Sequence, residues 1–301
     1  MKRFFSTIAI CMVYMHVFCQ DTVRVGNLNY IIDTTDQTAV VGKNTDAEGV
    51  VTIPATITYE GQTYSVTEIG KEAFAYPIIH PWQVTKNEKL KGVILPEGLV
   101  IIGEKAFAFC KNLQTVKIPD SVVIIEKGAF LNAGLQSIIW GTQLRSIGAS
   151  AFLGTNLQKV IIPITVTAFG EGAFSSCEKL ESVIIPSGIR EIPKKAFMNC
   201  HALKTVKIFR AKTIESYAFF NCFALTNVTL PQTLQTIKNS SFVCCNGMIS
   251  LTIPANVKTI EDCTFQSCRN LEYLMYNSRE IPYSDNMLSG CFKFKGVKYQ
   301  Q

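Results

Sequence analysis

Apolar residues along this chain recur with a long period. Phenylalanines stand at Phe74, Phe107, Phe130, Phe152, Phe174, Phe197, Phe219, Phe242 and Phe265, and after the first interval every spacing is 22 or 23 residues. A second column, Val51, Val93, Val116, Ile138, Val160, Val183, Val206, Val228, Leu251 and Leu274, marks ten coils in the same register. The unit reads Leu-x-x-Val-x-Ile-Pro, then Val-x-x-Ile, then Ala-Phe-x-x-Cys; residues 180–200 hold the clearest copy. A period of this length describes a solenoid, in which no coil buries its apolar face alone and stacking supplies the missing contacts.

Each part of the unit has a local cause. Val-x-Ile places two β-branched residues on one face of a strand, and the prolines at 96, 119, 163, 186, 231 and 254 end it by removing a ladder donor. Val-x-x-Ile brings the chain back across the core. The residues up to Ala-Phe suit one helical or 3-10 turn that points Phe inward. Ahead of the repeats, alternation in residues 28–32 predicts a strand, and Tyr59 to Tyr64 predicts a hairpin. The expected organisation is an N-terminal β cap over residues 20–65, repeats over 66–282 and a C-terminal cap over 283–301.

The repeat residues resemble the BspA-like branch of leucine-rich repeats, found on bacterial surface and secreted proteins, across about residues 50 to 282. That resemblance implies an α/β leucine-rich-repeat solenoid: a curved right-handed stack of about ten coils, a parallel sheet on the concave side, and short helical or irregular segments on the convex side. It also implies a role in adhesion to host matrix proteins or to other cells. Three copies depart locally: Trp140-Gly141 and Phe209 stand where Ile-Pro and Pro are usual, and Thr264 replaces Ala.

Lys2 and Arg3 followed by the apolar run from Ile8 to Phe18 read as a secretory signal peptide spanning 1–19, cleaved after Cys19. Lipidation at Cys19 fits less well, because bulky Phe18 precedes it where a small side chain is required. The expected location is secreted or cell-surface. The formal charge of +6 falls by two when Lys2 and Arg3 leave, and no dense basic patch remains to hold nucleic acid. No apolar run long enough to span a bilayer follows the leader. A monomer is expected.

Eleven cysteines suggest disulfides in an exported protein, yet Cys110, Cys177, Cys200, Cys222, Cys245 and Cys268 all stand three residues after the repeat Phe, where other coils hold Ala133 and Thr155. The column asks for a small side chain, and stacked coils hold Cβ atoms about 4.8 Å apart, against about 3.8 Å in a disulfide. Buried free thiols are expected. Cys244, Cys263 and Cys291 are read as off the column, which leaves a bridge among them open. Cys200-His201 is the only pair suggesting a nucleophile, but the place of His201 holds Lys111, Glu178 and Phe223 in other coils. No metal-spaced cluster or catalytic motif occurs, so no cofactor, no metal and no enzymatic activity are expected.

Surface then carries function. Residues after the Val column form an outward stripe: Ile94, Lys117, Ile139, Ile161, Ile184, Lys207, Thr229, Thr252 and Met275. Four isoleucines facing solvent suit either β propensity or an apolar recognition patch. The insertion from Tyr76 to Val84 breaks the period and carries Tyr76, His80 and Trp82, which suit either a binding tip or packing over the end of the core. The favoured function is a binding or adhesion module for a protein or cell-surface ligand. A carbohydrate-binding or glycan-handling accessory protein is the alternative.

Overall fold

The computed structural model describes residues 22–76, 85–277 and 285–299, so the leader, His80 and Trp82 lie outside the described residues. The Val-x-Ile segments form short parallel strands, from Gly49–Thr52 and Leu90–Ile94 at the start to Ser250–Ile253, Tyr273–Tyr276 and Gly296–Tyr299 at the end. We refer to them as the valine sheet. Its column residues pair in register, Val183 with Val160 and Val206, and their side chains are buried.

Val-x-x-Ile does more than cross the core. Its last two residues form a second parallel ladder: Ile101–Ile102, Ile124–Ile125, Ser146–Ile147 and Ala168–Phe169, then Glu191–Ile192 through Thr259–Ile260. This return ladder begins on Gln62–Ile69, which also pairs antiparallel with Thr56–Tyr59 and parallel with Thr38–Val41. Leu28–Asp33 and Thr22–Val25 continue outward from there as an antiparallel meander.

The Ala-Phe turn is not helical, contrary to the expectation from sequence; among the described residues the one helix is the 3-10 segment Asp285–Leu288. The backbone explains why. From Phe107 to Phe265, residues two before and two after each column Phe take positive φ, as at Lys105 (54°) and Phe109 (60°). Alternate N–H groups then face opposite ways. Those of Ala106, Ala108 and Cys110 bond within the turn, while those of Lys105, Phe107 and Phe109 donate to Lys127, Ala129 and Leu131 in the next coil at 2.7–3.0 Å. Lys195, Phe197 and Asn199 repeat the pattern. A third inter-coil ladder thus replaces the helix, and its hydrogen bonds offset the roughly 1–2 kcal/mol that a left-handed non-glycine residue costs.

Inside, the phenylalanines stack face to face with centroids 5.1 to 5.7 Å apart, and all nine rings are fully buried. The described part of the C-terminal segment adds a further coil. Gly296–Tyr299 pairs parallel with Tyr273–Tyr276, setting Val297 against Leu274. Met287 and Leu288 take the places of Ala and Phe, since the Phe265 N–H donates to the Met287 carbonyl. Leucine in the aromatic column is what hid this coil in the sequence.

Candidate ligand-binding face

The stripe expected to face outward does so, but not uniformly. Ile94, Ile139 and Ile161 are 55%, 55% and 62% exposed, whereas Ile184 is half-buried. Ladder geometry accounts for the difference. Ile184 sits between two hydrogen-bonded neighbours, Ile161 and Lys207, whose side chains flank it. Among the described residues Ile139 pairs only with Lys117, Ile161 only with Ile184, and Ile94 only with Thr52, so each lies at the end of a hydrogen-bonded block. The break after Ile139 coincides with Trp140, which meets the buried Phe152 ring edge-on at 5.5 Å.

Lys117 and Lys207 are exposed on the same face, and Lys207 continues into Thr229 along the ladder. The Lys207 ammonium lies 4.8 Å from the centre of the Phe209 ring, a cation–π contact. Phe209, 47% exposed, joins the face at a place where most coils have proline. Its only sequence signal was that missing proline. Tyr76 is half-buried at the start of the insertion.

All nine described cysteines are free thiols, including Cys244, Cys263 and Cys291, among which a bridge had been left open. Cys291 is on the cysteine column rather than off it, because the column continues into the last coil. The column also has a use for sulfur. Sγ of Cys177, Cys200, Cys222, Cys245, Cys268 and Cys291 donates to the Phe carbonyl one coil earlier at 3.0–3.3 Å. Burial pushes the Cys110 thiol up to about 12, which keeps it protonated and inert. His201 stacks on Phe223 with ring centroids 4.9 Å apart, and the buried Cys200 thiol turns to the Phe174 carbonyl. The described residues contain no group of three or more His, Cys, Asp or Glu able to hold a metal ion.

With the geometry in place, residues 83–204 and 190–301 match the model of the BspA-type leucine-rich-repeat region, in six copies. The chain belongs to this family. A leucine-rich-repeat protein of Bacteroides ovatus is 26% identical to this BspA-type chain over 92% of it and 76% of the other, with a TM-score of 0.76. The leucine-rich-repeat protein TpLRR of T. pallidum is 22% identical over 68% of this chain and 91% of its own, with a TM-score of 0.58. The pneumococcal vaccine antigen PcpA is 20% identical over 94% and 88%, with a TM-score of 0.53. The latter two show the fold alone. No curated protein matches the chain. The family is a repeat scaffold suited to binding, and among the described residues no helix is long and apolar enough to cross a membrane.

Proposed function

We propose that this BspA-type chain is an exported, non-enzymatic binding module that holds a protein ligand, on a host matrix or another cell surface, against its valine sheet. The observation that carries the reading is the single-face arrangement of Ile94, Ile139, Ile161 and half-buried Ile184 with Lys117 and Lys207. Apolar side chains at ladder ends supply area to desolvate, and the two lysines beside them supply orientation. Export rests on the Lys2-Arg3 and Ile8–Phe18 pattern. The insertion with Tyr76, His80 and Trp82 is the competing contact region.

Screening the mature chain against matrix proteins and a glycan array tests the class of ligand. Saturable binding to a protein is expected. Strong glycan binding with no protein partner would replace this reading with the carbohydrate one.

A further inference from the structure

The two β ladders are finished differently at the N-terminal end. Three successive strands, Thr38–Val41, Leu28–Asp33 and Thr22–Val25, cover the return ladder beyond Gln62–Ile69. Among the described residues no strand covers the valine sheet in this way. Its first strand, Gly49–Thr52, has Leu90–Ile94 as its only strand partner among the described residues. The N–H groups of Gly49 and Ile53 donate to Lys89 and Ile94 in the next coil at 2.9 and 3.0 Å. Alternation along a strand therefore aims the N–H groups of Val50 and Thr52 the other way, off the end of the sheet.

They are aimed into a cavity of about 790 Å³. Residues 50–52 bound it on one side; Arg24 to Leu28, Tyr30 and residues 56–58 bound it on the others. Its lining includes the half-buried apolar side chains of Val25, Ala47 and Val51 beside the buried Leu28, Tyr30 and Ile57. The rim holds Asp46 and Glu48 against the single cation Arg24, which leaves a net negative charge, and Val50 is 65% exposed beside them.

We propose that this cavity accepts an extended peptide of a partner protein, added as a parallel strand to the free edge of Gly49–Thr52. Main-chain bonds to Val50 and Thr52 provide the attachment, as in other strand additions. Alternate side chains of the guest then enter the cavity and meet Val25, Ala47 and Val51, which calls for aliphatic residues. The side chains between them emerge beside Asp46 and Glu48, which calls for a basic residue. The chain's own coils show a sequence of that pattern lying in this sheet: Thr-Val-Lys-Ile occurs at 115–118 and again at 205–208. The site lies at the N-terminal end of the valine sheet, on the far side of Gly49–Thr52 from Ile94.

The test uses the mature chain, labelled with ¹⁵N, and three capped tetrapeptides: Thr-Val-Lys-Ile, its Lys→Glu analogue, and its analogue N-methylated at the residues that face the edge. Thr-Val-Lys-Ile is expected to shift the Val50 and Thr52 amide signals in a saturable way. The glutamate analogue should bind several-fold more weakly, and the N-methylated one at least tenfold more weakly, because it lacks the donors a ladder needs. Absence of shifts at Val50 and Thr52 with millimolar Thr-Val-Lys-Ile would overturn the proposal, as would equal binding of the N-methylated peptide. Shifts of the same amides produced by a neutral disaccharide, with none from the peptides, would assign the cavity to a glycan instead.

Discussion

The thiol of Cys200 donates a hydrogen bond of 3.1 Å to the carbonyl oxygen of Phe174, one coil earlier in the stack. Sulfur thus ties consecutive coils together, and where Cys222 donates to the Phe197 carbonyl at 3.2 Å that oxygen also accepts the Cys200 backbone N–H, so the thiol fills a second lone pair. Thr155 differs: its hydroxyl reaches the Phe152 carbonyl of its own coil at 2.9 Å rather than that of the coil before.

Replacing Cys200 by Ala removes this bond and leaves a small void, with an expected loss of about 1–2 kcal/mol of stability. Urea unfolding of the Cys200→Ala variant measures it. An unchanged midpoint would mean that the column selects size alone.

The free thiols themselves are open to a mass measurement. Alkylation of the mature chain after denaturation without reductant should modify at least six cysteines, because the column cysteines already use sulfur as a hydrogen-bond donor. Finding three or more disulfides would contradict the packing described.

Much of the fold was legible from two columns. The regularity of Phe74 to Phe265 and Val51 to Leu274 reflects stacking, which punishes any departure in every coil at once. The turn ladder was not legible, because its left-handed positions are filled by Lys105, Ser150, Lys195 and Tyr217 as well as by Gly128 and Gly172. Hydrogen bonds to the next coil, rather than glycine, hold them there. The second ladder was hidden for a similar reason: two residues such as Ile124–Ile125 are too short to show a strand period. Of the candidate face, direction followed from alternation, but the burial of Ile184 depended on where the ladder breaks, and nothing in the repeat marks that. The free edge at Gly49–Thr52 depends on what the cap fails to cover, which no local pattern encodes.

Gly141 tests how closely the coils approach. A Cβ built there would lie 2.1 Å from the Pro119 carbonyl oxygen, a backbone atom that cannot swing aside. Gly141→Ala is expected to lower stability by about 1–3 kcal/mol through overpacking. Thermal unfolding of this variant beside the parent supplies the comparison, and equal midpoints would show that the two coils can part without loss.

Glu68 makes stability depend on pH. Burial first, and then the nearby charge of Glu126, raise its carboxyl from 4.5 to about 7. Between those values the folded chain holds a proton that the unfolded chain has released, so this group's contribution falls as pH rises through the window. Glu68→Gln removes the effect. The variant should gain on the parent by on the order of 1 kcal/mol between pH 5 and pH 8, a figure reduced for the partial exposure of the side chain. Urea unfolding at the two pH values checks it; a constant difference would mean that Glu68 titrates normally.

The most direct test of recognition by the valine sheet is the affinity of an Ile139→Thr, Ile161→Thr, Ile184→Thr triple variant for the protein ligand found by screening, measured by titration calorimetry beside Trp82→Ala. Threonine keeps the β-branched shape that suits a strand, so the unfolding midpoint should move little. Affinity should fall by about 5- to 150-fold, the range of 1–3 kcal/mol typical of central interface anchors. Unchanged affinity of the triple variant, with binding lost in Trp82→Ala, would place recognition on the insertion and contradict the assignment to the sheet.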